Sequence, residues 1–167
     1  MKKVILILGL LITISFGATL EEATIAYNKG DYQTSKTIFE DLASKGDATA
    51  QYNLGVMYDF GKGVKQDYFK AKEWYEKAAN QGESQAQYNL GVMYDFGKGV
   101  KQDYFKAKEW YEKAANQGHV VAQYNLGVMY DFGKGVKQDY FKAIKWYEKA
   151  ANQGHVNAQY NLGIMYV

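Results

Sequence analysis

The chain has 167 residues, 47% of them hydrophobic and 16% aromatic, with no cysteine, no proline and a formal charge of +2. Without cysteine it can carry neither a disulfide nor a thiolate zinc site, so packing alone must hold it together. Every cationic side chain apart from two histidines is a lysine interleaved with Glu and Asp. That leaves no basic stripe to displace counterions from a nucleic acid backbone, and nucleic acid is excluded as a partner.

Met1 to Phe16 reads MKKVILILGLLITISF, two lysines followed by an apolar run from Val4 and then small residues. This is the pattern of a secretory leader. The run falls short of the about 20 residues a spanning helix needs, and Ser15 and Gly17 put small side chains where a signal peptidase inspects the chain. The expectation is a signal peptide over residues 1–18, cleaved after Gly17 or Ala18, with a retained N-terminal anchor as the alternative. The mature chain then has 18 lysines against 18 acidic residues and no stable membrane span. Its expected location is periplasmic or secreted, in a bacterium.

Residues 19–46 predict a first, divergent helix pair. A short helix over Thr19 to Asn28 ends at Lys29-Gly30-Asp31, and a second over Tyr32 to Ser44 carries Ile38, Phe39 and Leu42 at helical spacing. Asp31 is placed to cap the second helix, accepting from its free amides.

The stretch from Ala50 to Gln85 then returns almost unchanged at Ala86 and starts again at Ala122, a period of 36 residues. A period of this size marks an array in which each unit buries its apolar face against its neighbours. The expected units are 47–82, 83–118 and 119–154, with a partial one over 155–167. Within a unit, Ala50, Leu54, Met57 and Tyr58 predict a first helix from about Ala48 to Phe60. Gly55 lies in its interior, where glycine costs about 1 kcal/mol against alanine, so the return is close approach of the paired helix. Gly61 and Gly63 stop this helix, Val64 turns inward, and Asp67 is the N-cap of a second helix that runs to about Asn80 with Gly82 as its C-cap. Ala71, Tyr75 and Ala78 face the core, and Glu73 with Lys77 forms an outward ion pair. Later units differ little: Ile144 and Lys145 replace Lys108 and Glu109, and Ser84-Gln85 becomes Val120-Val121 and Val156-Asn157. The last helix carries Leu162, Met165 and Tyr166, which make the C-terminal end an open apolar face and self-association through it a further option.

The letters A-x-Y-N-L-G-x-M-Y, G-x-G-V-x-x-D and W-Y-x-K-A-A-x-Q-G, read from Ala50 to Gly82 and repeated to residue 166, resemble the Sel-one-like repeat (SLR) family, relatives of the tetratricopeptide repeats. Residues 19–46 resemble an ordinary tetratricopeptide unit through Ala26, Gly30-Asp31-Tyr32, Phe39 and Leu42. The resemblance implies an all-α fold, an α/α solenoid of antiparallel helix pairs in a right-handed superhelix, used as an adaptor for proteins and peptides. It also implies an alternative, since exported cysteine-rich relatives bind or slowly hydrolyse β-lactams. They carry a cysteine pair in each repeat, and this chain has none.

No residue set reads as an active site, so the expectation is a protein that is not an enzyme and needs no cofactor or metal. Asp59-Phe60-Gly61 spells a kinase metal-binding triplet, yet neither a glycine-rich nucleotide loop nor a catalytic-loop motif accompanies it. Ser35, Ser44 and Ser84 all lack the lysine three residues on that a serine β-lactamase requires. His119 and His155 fall at one position of successive units, too far apart to share a metal, and are expected to face solvent.

The remaining candidate is a recognition surface. By resemblance the first helices line the inner face, which would carry Tyr52, Val56 and Asp59, then Tyr88, Val92 and Asp95, then Tyr124, Val128 and Asp131, then Tyr160. Tyrosine offers a large contact area at low entropic cost together with a hydroxyl, so such a ladder suits a protein or peptide partner. Packing of Tyr52 on the adjacent unit is the alternative role.

Overall fold

The computed structural model describes residues 18–166, so the expected leader lies almost wholly outside the described residues. Those residues form nine helices in chain order: α1 (Leu20–Asn28), α2 (Tyr32–Ser44), α3 (Ala48–Phe60), α4 (Tyr68–Asn80), α5 (Ser84–Phe96), α6 (Tyr104–Asn116), α7 (Val120–Phe132), α8 (Tyr140–Asn152) and α9 (Val156–Met165). Each packs chiefly on its immediate neighbours in the chain, which is the all-α solenoid expected from the period.

Local chemistry sets the helix limits. Asp67 caps α4, its Oδ1 accepting from the N–H groups of Phe69 and Lys70, each at 3.1 Å, and Asp31 does the same for α2 through Thr34 N–H at 3.2 Å. Gly61 ends α3 in the left-handed region at φ +64°, which a residue with a Cβ avoids. At the end of α4 the cap is Gln81 rather than Gly82. Gly82 sits one residue further on, where its N–H donates to Ala79 O at 3.0 Å and Glu83 N–H donates to Ala78 O at 3.1 Å. The expected Glu73–Lys77 ion pair does not form. Lys77 Nζ instead lies 4.0 Å from the centre of the Trp74 ring, and the ion pair on this helix is Lys72 to Glu76 at 2.6 Å. An indole three residues back offers the lysine both a cation site and cover for its methylene stem.

The core runs through the units and across their boundaries. Ala71, Tyr75, Ala78 and Ala79 of α4 join Ala86, Leu90 and Met93 of α5 in one buried cluster, and α6 with α7 repeats it. Part of each unit's apolar face is therefore buried only by its neighbour. The alanines let the helices close in around one large side chain per unit: Tyr75, Tyr111 and Tyr147 are each fully buried. Gly55 is where the paired helices meet most closely, since a Cβ built there would stand 2.5 Å from the Tyr75 ring. The turn after the first helix also touches the unit before it: a Cβ on Gly63 would lie 2.6 Å from Tyr32 Cβ, and Gly99 meets Tyr68 in the same way.

Candidate functional site

The face of the first helices is built by one arrangement repeated three times. In the α3–α4 unit Tyr52 packs on the buried ring of Tyr75, centroids 6.0 Å apart, and the Tyr75 hydroxyl donates to Asp59 Oδ2 at 3.2 Å. Tyr88, Tyr111 and Asp95 repeat this at 5.8 and 3.2 Å, as do Tyr124, Tyr147 and Asp131. Burial first, then the neighbouring carboxylate, pushes the Tyr75 and Tyr111 hydroxyls well above the ordinary tyrosine range, so they stay protonated donors. Burial also raises Tyr52 and Tyr88.

Most of the expected ladder serves the stacking. Tyr52, Val56, Tyr88, Val92, Tyr124 and Val128 are half-buried and pack against the core clusters, while Asp59, Asp95 and Asp131 are held by the buried tyrosines. Tyr160 is 69% exposed.

The histidines depart from expectation. Neither projects freely into solvent: each caps the following helix through Nδ1, His119 accepting from Ala122 N–H at 3.2 Å and His155 from Ala158 N–H at 3.3 Å. Each ring also stacks on the ladder tyrosine of the preceding unit, His119 on Tyr88 at 4.6 Å and His155 on Tyr124 at 4.5 Å. Tyr88 and Tyr124 thus each pack against two rings, one from their own unit and one from the next, which no single-unit reading of the sequence could supply. Asp47 and Glu83 occupy the same capping position in the earlier units.

This cap gives a pH dependence. An accepting Nδ1 puts the His119 proton on Nε2, which faces Gln85 Oε1 at 2.9 Å, and burial lowers the imidazole below its usual range. The folded state therefore holds His119 neutral while the unfolded chain takes up its proton near the ordinary value. Stability is full above about pH 6.5 and falls as pH drops from there through the lowered value. His119→Asn keeps the cap without titrating in this range. The expected result is that wild type loses about 1 kcal/mol more than H119N between pH 7 and pH 5 in urea unfolding; parallel pH profiles would refute the cap's role.

A second set of residues went unread in the sequence. Gln87, 5% exposed, donates through Nε2 to Ala79 O at 3.1 Å across the unit boundary and accepts from Gln117 Nε2 at 2.8 Å. Gln51 and Gln123 repeat it with Gln81 and Gln153. The available signal was a glutamine always preceding the ladder tyrosine, with a second one 30 residues later.

Among the described residues no group of three or more His, Asp or Glu side chains could hold a metal ion, and no helix is long and apolar enough to cross a membrane.

Comparison with known proteins agrees with this architecture. The model of the Sel1 repeat matches residues 48–83, 84–119, 120–155 and 156–167. A protective antigen of uropathogenic Escherichia coli displaying an SLR fold is 36% identical, with a TM-score of 0.83 over 87% of this chain and 32% of the other. A Sel1 repeat protein from Oxalobacter formigenes is 33% identical, with a TM-score of 0.85 over 89% of this chain and 61% of the other. The chain thus spans less than two thirds of either protein. Helicobacter pylori cysteine rich protein B is 27% identical, with a TM-score of 0.57 over 74% of this chain and 93% of the other. Comparison with curated proteins finds no match.

Proposed function

The chain belongs to the Sel1 repeat family, a family of repeat scaffolds that commonly mediate protein interactions, and from that membership we propose that it is an exported, non-enzymatic adaptor. In this reading it binds a protein or peptide along the face of α3, α5, α7 and α9. The observation that carries the reading is the repeated Tyr–Tyr–Asp arrangement, beside which a half-buried Val packs on the core at each unit. An arrangement already fixed by packing loses little conformational freedom when a partner is bound, which favours recognition. Export rests on the leader pattern at Met1 to Phe16.

The test uses lysine substitutions, because a lysine stem can cover the underlying core while its ammonium opposes an apolar contact. The variant Val56→Lys, Val92→Lys, Val128→Lys is compared with a Glu73→Lys, Glu109→Lys control on the second helices. After pull-down from the native host, the valine variant should recover at least about tenfold less of the major partner, with helicity unchanged by circular dichroism. Equal recovery by the two variants would remove this face as the binding surface.

A further inference from the structure

Six phenylalanines stand on one rim of the array. Phe60, Phe96 and Phe132 end α3, α5 and α7, whereas Phe69, Phe105 and Phe141 lie in the first turns of α4, α6 and α8, so all six occur where the helix pairs turn. They are 64–82% exposed, whereas Phe39 in the core is 1% exposed. Lys62, Lys65 and Lys70, with their counterparts in the next two units, are interleaved with them and exposed.

The rim is continuous. Gly99 abuts Tyr68 of the unit before, Gly135 abuts Tyr104, and Phe105 and Lys106 border the same surface depression as Val136 and Lys137 of the following turn. Its acidic groups are engaged by the fold: Asp67, Asp103 and Asp139 cap helices, Asp139 also pairing with Lys142 at 3.6 Å, and Asp59, Asp95 and Asp131 accept from the buried tyrosines. Across the three turns nine lysines meet six aspartates, a formal excess of +3, while residues 18–166 have 18 lysines and 18 acidic groups. The rest of the described chain therefore carries the opposite excess, and positive charge is gathered where the phenylalanines stand.

Exposed phenylalanine beside lysine is the chemistry of an anionic lipid surface, the rings entering the boundary between headgroups and acyl chains and the ammonium groups meeting phosphate. The rings stand exposed at turns, bordering open surface depressions, and the same residues recur in all three units. That suits a target that is itself laterally uniform, on which each unit adds the same contact. We propose that this rim docks the protein on an anionic lipid bilayer. Attachment is at the surface, through the turns that join the paired helices.

The absence of cysteine allows a single reporter site. Full-length Phe105→Cys and Asn116→Cys, the second at the opposite end of α6, are each labelled with an environment-sensitive fluorophore. They are mixed with vesicles of phosphatidylcholine alone or of phosphatidylcholine and phosphatidylglycerol at three to one. With the anionic vesicles the reporter at position 105 should shift to the blue and the one at 116 should not, so that binding through residues 1–17 alone cannot mimic the result. Substituting the other five rim phenylalanines with serine should lower the bound fraction reported at position 105 about tenfold, and 0.5 M salt should weaken it. Equal shifts at both positions, no shift at either, or equal response to the neutral vesicles would overturn the proposal. So would a response to polyglutamate without one to vesicles, which would assign the rim to an acidic protein.

Discussion

Gly55→Ala is expected to lower the unfolding free energy by about 3 kcal/mol, whereas Gly163→Ala, at the same place in α9, should leave it unchanged or raise it. Both glycines follow the letters Asn-Leu inside a first helix, and helix propensity alone would predict the same modest gain of about 1 kcal/mol at each. Their surroundings differ. A Cβ on Gly55 would stand 2.5 Å from both Cδ1 and Cε1 of Tyr75, a distance no packed pair of carbons tolerates, while a Cβ on Gly163 meets nothing within 4 Å. The Tyr75 ring cannot slide away, because it is fully buried and its hydroxyl is tied to Asp59 at 3.2 Å. Relief would require α3 and α4 to move apart, opening the cluster they share with α5. Urea unfolding of the two variants measures this directly, and equal shifts in midpoint would sink the close-approach account.

Gln87→Glu should destabilise the chain by about 3 kcal/mol at pH 7 and much less at pH 4. The change is nearly isosteric, so packing is preserved and only the donor is exchanged for a charge. The glutamine Nε2 donates to Ala79 O at 3.1 Å in a position 5% exposed; a carboxylate oxygen there would face a carbonyl oxygen with little water to screen it. Burial and that carbonyl would raise the glutamate above its unfolded value. A raised carboxyl contributes its full stability below the unfolded value near pH 4.3 and loses it as pH rises through the folded one, because only the protonated acid can donate to Ala79 O. The difference between variant and wild type across pH is the measured quantity, which removes the contribution of His119. A penalty that does not change with pH would mean that the lost contact is steric and that the glutamine bridge does not hold the units together.

These two positions show what could be read in advance. Helix limits were legible because capping is local chemistry: Asp31 and Asp67 act on amides two or three residues away. The close approach at Gly55 was also legible, since glycine inside a helix asks for a reason. The histidine caps were not, because imidazole is an uncommon cap and its stacking partner lies in the preceding unit, 31 residues away at Tyr88. The Lys77 position was misread because an i,i+4 charge pair was weighed without the indole beside it.

The sequence alone determined that helix pairs stack side by side, because a 36-residue period of apolar faces has no other way to leave water, and it determined where each helix starts and stops. Only the tertiary structure decided what identical letters do: that Gly163 is open where Gly55 is enclosed, that Gln87 bridges two units, that six phenylalanines stand exposed at the turns. The reason is physical. A repeat encodes the contacts within a unit and the fact of a neighbour, but the atoms that meet across the boundary depend on how closely the alanine faces let the helices approach.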